Sequence, residues 1–155
     1  MSLRQRIEDD LKSALKAREK QKLGVLRMVK SKIQEKQVEL RGKKGADADL
    51  SEDDVTAVVV AYAKQRRDSI ESYEQGGRED LAAAERAELE ILAAYLPQQM
   101  GEEEVAAIVD AAIAESGAAS PKDMGAVMKL VMPKVKGRAD GKMVNGIVQS
   151  RLKPS

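Results

Sequence analysis

The sequence predicts an all-α protein, with an N-terminal four-helix unit followed by a small three-helix C-terminal domain. Three observations predict it. Leu, Ala, Glu, Lys, Arg and Gln are abundant, a composition that favours helix over strand. Apolar residues recur three and four positions apart along most of the chain, and no stretch alternates over a useful length. Several of these stretches are preceded by a Ser or Asp suited to cap a helix. Aromatic residues are confined to Tyr62, Tyr73 and Tyr95, so the core has to be built from Leu, Ile, Val, Met and Ala.

The elements follow in order. Ser2-Leu-Arg-Gln5 has the form of a capping box, and Leu3, Ile7, Leu11, Ala14 and Leu15 then recur at helical spacing. A second helix is expected from about Glu19 to Leu40, with Leu23, Leu26, Val29 and Ile33 inward. The segment 42–49, with two glycines, reads as a polar loop. Ser51 caps a third helix, and Glu52, Asp53 and Asp54 lie in its first turn, where the helix dipole favours carboxylates. Val55, Val58, Val59 and Tyr62 form its inner stripe, Ile70 and Tyr73 extend it, and Gly76-Gly77 ends it. A fourth helix is expected from Leu81 to Leu96, with Leu81, Leu89, Leu92 and Leu96 apolar. Pro97 biases the preceding residue away from helix and stops it there.

The stretch 96–101 is the expected boundary between an N-terminal domain, residues 1–97, and a C-terminal domain, residues 98–155. Beyond it the helices shorten. Glu102 to Ser116 carries Val105, Ile108, Val109, Ala112 and Ile113, with Gly117 placed for a C-terminal cap. Ser120-Pro-Lys-Asp123 starts a sixth helix, in which Met124, Val127, Met128 and Val131 face inward and which Pro133 is expected to stop. Asp140 caps a seventh that carries Val144, Ile147, Val148 and Leu152.

Composition excludes several kinds of chemistry. Without Cys there is no disulfide and no thiolate, and the absence of His as well argues against zinc and removes the commonest general base. No cofactor is implied. The polar first ten residues lack the apolar core of a signal peptide, and no apolar run approaches the roughly 20 residues of a membrane span. The expectation is a cytoplasmic protein with no membrane partner.

The net charge of +1 conceals a segregated order. Residues 1–44 hold 14 Lys and Arg against 6 Asp and Glu, residues 45–123 hold 6 against 19, and residues 124–155 hold 7 against 1. Basic and acidic helices can compensate each other by packing, or a basic end can meet an anionic partner.

Most candidate motifs have ordinary explanations. Ser13 and Lys16 have the spacing of a serine–lysine nucleophile pair, but they sit mid-helix without a companion motif. Gly137-Arg-Ala-Asp-Gly-Lys142 is too short for a phosphate-binding loop and lacks the following Ser or Thr. Glu102 to Glu104 fit a helix first turn, and Met124, Met128 and Met132 fit core filling, so neither group is taken as a metal site. Arg27, Lys30, Lys32 and Lys36 make the second helix basic, as a solvated face or as a membrane-surface or RNA contact.

Lys129, Lys134, Lys136, Arg138 and Lys142 gather around one glycine-containing turn with a single nearby carboxylate, Asp140. Gly137 lets the backbone turn and come close to a ligand, and amides at the start of the seventh helix can add to anion binding. Such residues contact phosphates and position a nucleic acid without reading its bases. No aromatic residue is present there for base stacking. An exposed turn that is merely basic explains the pattern equally well. No catalytic residue is assigned.

These residues also carry a resemblance. Met124-Gly-Ala-Val-Met-Lys129, Lys136-Gly-Arg-Ala-Asp140 and Val144-Asn145 resemble the tail domain of the GatB subunit of glutamyl/aspartyl-tRNA amidotransferase. Two departures, the longer stretch Leu130 to Val135 and Asp140-Gly141 in place of Asn-Pro, are typical of stand-alone YqeY-like proteins. Leu26-Arg-Met28, Tyr73-Glu-Gln-Gly-Gly-Arg78, the stretch 88–95 and Leu96-Pro-Gln-Gln99 extend the resemblance over nearly the whole chain. At Met100-Gly101 the family commonly has Leu-Ser, so a capping hydroxyl is missing.

The resemblance implies two helical domains and an RNA-contact role for Lys129, Lys136, Arg138 and Asn145. Family labels also imply a carbon–nitrogen ligase with glutamine as amido donor, a description carried over from the larger enzyme. The leading expectation is a non-catalytic tRNA-binding protein, or an accessory to an aminoacyl-tRNA-processing enzyme. The alternatives are a protein–protein adaptor using Asp53, Asp54, Glu85, Glu88 and Glu90, or an accessory subunit of a glutamine-dependent amidotransferase.

Overall fold

The computed structural model describes residues 1–153, which form seven α-helices and no strand. They are α1 (Leu3–Ala17), α2 (Lys20–Lys44), α3 (Glu52–Gln75), α4 (Glu79–Leu92), α5 (Glu102–Ser116), α6 (Met124–Val135) and α7 (Gly141–Leu152). Short 3-10 turns follow α4, at Ala93–Tyr95, and precede α6, at Pro121–Asp123. The contacts divide the chain into two compact units, one from Met1 to Leu96 and one from Pro97 onward. Among the described residues no helix is long and apolar enough to cross a membrane.

In the first unit, Ser2 caps α1 by accepting from the Gln5 amide, and the Glu52 carboxylate accepts from the Leu3 amide at 2.8 Å. The first turn of α1 is thereby tied to the first turn of α3. The α1–α2 link is short because Arg18 adopts a left-handed conformation, φ 56°, while the Glu19 amide reaches back to the Ala14 carbonyl. Ile7, Leu26, Val29, Ile33, Val59 and Leu92 are fully buried at the centre. Leu26, Val29 and Ile33 face inward as expected, Leu23 packs half-buried against the same core, and Val25 is buried beside them.

α2 also outruns its expected end by four residues, through Gly42. Side chains of its last turns bond the following loop and so hold the helix in register. Gln37, the buried polar residue among the described ones, donates to the Ala48 carbonyl at 2.7 Å and accepts from Leu50 and Arg4. Arg41 donates to Ala48 and pairs with Asp49. Lys and Arg in the final turn also suit the negative end of the helix dipole.

The fourth helix ends earlier than expected, at Leu92, and tightens into the turn Ala93–Tyr95. Tyr95 explains the tightening. Its ring is buried and stacked under the Arg6 guanidinium, and its hydroxyl donates to Asp10 at 2.6 Å. Arg6 in turn donates to the Ala94 carbonyl.

Arg66 lies over the Tyr62 ring and pairs with Glu85 at 3.2 Å and Glu88 at 3.6 Å, across the α3–α4 hairpin. Burial pushes the Glu85 carboxyl above the usual range, against the pull of Arg66. Arg66 Nε and the Glu85 Oε2 atom are buried without a hydrogen bond. The acidic surface envisaged for a basic protein partner is therefore smaller than expected. Glu85 and Glu88 pair internally, and the Asp54 carboxylate accepts from the Ser51 amide in a capping box.

The second unit has a valine-rich core. Val105, Val109, Val127, Val131, Val135, Val144 and Val148 are buried where α5, α6 and α7 meet, and Arg151 pairs with Asp110 between α7 and α5. Pro133 does not stop α6, which runs on to Val135. Proline's φ is compatible with helix, but at this position it removes one backbone donor and its ring crowds the carbonyl four residues earlier. The burial of Val135, 1 % exposed, holds the final turn in place against that loss. Met124 and Met128 pack against this core, whereas Met132 is exposed.

The raised Glu85 carboxyl gives a pH dependence with a definite sign. A group whose folded pKa is raised contributes stability at low pH that is lost as pH rises through the folded value. Glu85→Gln stays neutral throughout. The difference in thermal midpoint, variant minus wild type, is expected to become more positive as pH rises through and above the ordinary carboxylate range. A difference moving the other way would show that pairing with Arg66 outweighs desolvation.

Candidate nucleic-acid interface

The basic turn is built by the way α6 ends. Lys136 has φ −55° and ψ 123°, Gly137 has φ 75°, and the Arg138 amide donates to the Val135 carbonyl at 2.8 Å. These are the features of a type II turn with Lys136 and Gly137 at its centre, and that turn needs positive φ at its third residue. Gly137 supplies it without the steric cost a side chain would add. Val135 and Val144, both buried, hold the two flanking helices against the same core.

The segment 97–100 braces this turn, and sequence reasoning missed it. The Met100 amide donates to the Arg138 carbonyl at 2.6 Å. Gln99 Nε2 donates to the Gly137 carbonyl at 3.1 Å and to that of Pro97 at 2.9 Å. Arg138 Nε donates to the Gln98 carbonyl at 3.1 Å. Leu96 is extended, ψ 152°, as a residue before proline prefers, which starts the segment on a straight course. The signal in the sequence is Leu96-Pro-Gln-Gln99, whose Gln99 side-chain amide and Gln98 carbonyl take part in these bonds.

The candidate residues do not form one cluster. Lys136 and Arg138 sit on the turn itself, Lys136 exposed and Arg138 half-buried against the brace. Lys129 lies seven residues before Lys136 on α6, nearly the same face, about 10 Å along the axis. Lys134 is five residues from Lys129 and so lies well round the helix from it. Lys142 and Asn145 are exposed three residues apart on α7, and so share a face.

The start of α7 offers less to an anion than expected. Asp140 caps it, its carboxylate accepting from the Lys142 amide at 3.2 Å, so that amide already has a partner and a negative charge stands beside it. At α5 the N-cap is Gly101, with Glu102, Glu103 and Glu104 in the first turn. Among the described residues no group of three or more acidic side chains is arranged to hold a metal ion. The arrangement at the turn can attract and orient phosphate. It provides no general base aligned with a nucleophile.

Comparison with protein-family models matches residues 4–152 to the family described as Yqey-like protein. The chain belongs to the YqeY-like family. This YqeY-like chain is 29% identical, over 147 residues, to Altered inheritance of mitochondria protein 41, mitochondrial, of Pyrenophora tritici-repentis. That match covers 93% of the chain and 77% of the relative. It is 32% identical over 92 residues to the protein of the same name from Saccharomyces cerevisiae strain YJM789, covering 59% of this chain and just under half, 47%, of the yeast protein. It is 29% identical over 127 residues to a glutamyl-tRNA(Gln) amidotransferase component from Saccharolobus solfataricus, covering 79% of the chain and 17% of that larger protein. The last match supports the link between YqeY-like chains and the amidotransferase tail.

Gly137→Ala places a β-carbon at positive φ in the type II turn. The expected cost is about 1 kcal/mol of second-unit stability, with helical content retained, and denaturant unfolding followed by circular dichroism measures it. No change in the unfolding midpoint would mean the turn can adopt another conformation cheaply.

Proposed function

We propose that this YqeY-like chain is a non-catalytic tRNA-binding protein, or an accessory to an aminoacyl-tRNA-processing enzyme. The observation that carries the proposal is the braced, basic type II turn, with Lys136 and Arg138 on it and Lys129 about two turns before it on nearly the same face of α6. Similarity to an amidotransferase component whose name specifies glutamyl-tRNA(Gln) supports the choice of RNA. Lys134, Lys142 and Asn145 extend the contact surface along the flanking helices. Cations there neutralise phosphates and release counterions, a sequence-independent contribution that suits a protein without stacking aromatics at the site.

A second reading, an accessory subunit of a glutamine-dependent amidotransferase, is favoured by the same relative. It differs in requiring a partner enzyme. Conversion of Glu-tRNA to Gln-tRNA that depends on the chain would select it. The proposed place of action is the cytoplasm. The fungal relatives carry mitochondrial names, and fractionation of the native host decides between the two compartments.

Binding of unfractionated tRNA, titrated over salt, tests the main proposal, with duplex DNA of equal length as control. Tight, salt-dependent binding that prefers tRNA is the expected outcome. Lys129→Ala/Lys136→Ala should weaken it and flatten the log–log salt slope by about one unit per lost phosphate contact, with the fold intact. Equal affinity and slope in the folded variant would remove these lysines from the interface.

A further inference from the structure

We infer that the segment 97–100 is part of the RNA-contact site, with Gln99 as a positioning residue that fixes the basic turn before RNA arrives. The inference rests on the proposed function. Three observations carry it. Gln99 Nε2 takes the Gly137 carbonyl, and the Met100 amide takes the Arg138 carbonyl. These two carbonyls flank the basic side chains of the turn, and an oxygen left open there would present partial negative charge to an approaching phosphate. Occupying both with donors leaves the cationic groups to dominate the local field. Third, Arg138 Nε is bonded to the Gln98 carbonyl. The guanidinium is planar and rigid, so fixing Nε fixes the direction of the two terminal nitrogens, the groups that would fork onto a phosphate.

The segment is suited to this work. Pro97 fixes its own φ and biases Leu96 toward the extended backbone it adopts, so the segment that carries the donors of Gln99 and Met100 starts from a restricted backbone. Gln99 bonds the Pro97 carbonyl as well as that of Gly137, so its amide bridges the brace and the turn. A site held by its neighbours loses less conformational entropy when it binds. Gln99 carries no charge, so its contribution to affinity should leave the counterion count unchanged.

Gln99→Met tests this, since methionine keeps the length and removes the donor. Wild type, Gln99→Met and Lys136→Ala are compared for binding unfractionated tRNA over a salt series. Amide hydrogen exchange at Met100 and Arg138 is measured without RNA, and circular dichroism confirms that each variant is folded. For Gln99→Met the expected result is binding weakened about three- to tenfold at unchanged salt slope, as for loss of the hydrogen bond that reaches the turn. Exchange at Met100 should also quicken. Arg138→Lys, which keeps the charge and loses Nε, should behave in the same way. Lys136→Ala should instead flatten the slope. If Gln99→Met binds like wild type, or weakens binding with no change in exchange, Gln99 does not position the turn and the inference is overturned while the proposed function stands. If wild type and Lys136→Ala both fail to bind tRNA, the functional reading falls and takes the inference with it.

Discussion

The structure depends on burying small aliphatic stripes. With three tyrosines as its only aromatic residues, the chain has to reach core density through close approach of helices lined with Val, Leu, Ile and Ala. In the second unit this is plainest, because most of the buried side chains are valines. β-Branched residues are weak helix formers, so the helices there are held by packing more than by intrinsic preference. The survival of α6 past Pro133 follows from the same balance: one lost backbone bond is outweighed by the burial of Val135.

What the sequence reveals follows from how local the cause is. Caps and apolar periodicity are local, and so the helical class, the Ser2, Ser51 and Asp140 caps and the Gly117 terminus were readable from spacing. The errors have non-local causes. α2 extends beyond Leu40 because Gln37 and Arg41 bond a loop that follows. α4 tightens at Ala93 because Tyr95 meets Asp10, 85 residues away. At the candidate site, the lysines, the glycine and the family resemblance were readable from order alone. The brace was not, because pairing Gln99 with Gly137 joins residues 38 apart through a side-chain amide. Periodicity has no means of reporting that.

Charge segregation acquires a clearer meaning in the fold. The acidic middle of the chain is partly consumed by internal work: Glu85 and Glu88 pair with Arg66, Glu74 and Glu79 hold Arg86, and Asp54 completes the capping box that Ser51 opens at α3. The bonds of the C-terminal turn are of another kind. Arg138 is held through the Gln98 carbonyl oxygen, which orients the cation without cancelling it. The basic end thus keeps its field while gaining order, the combination that favours contact with a polyanion.

The bond between Tyr95 and Asp10 has a consequence for modularity. Together with Arg6 on the Ala94 carbonyl, it fastens the last turn of the first unit to its opening helix. A bundle whose two ends are clasped to each other closes on itself, as a loop of rope does when its ends are tied. Sequence attached at either end then leaves from one edge of the bundle and need not pass through its core. Such a unit can be joined to further sequence without being rebuilt.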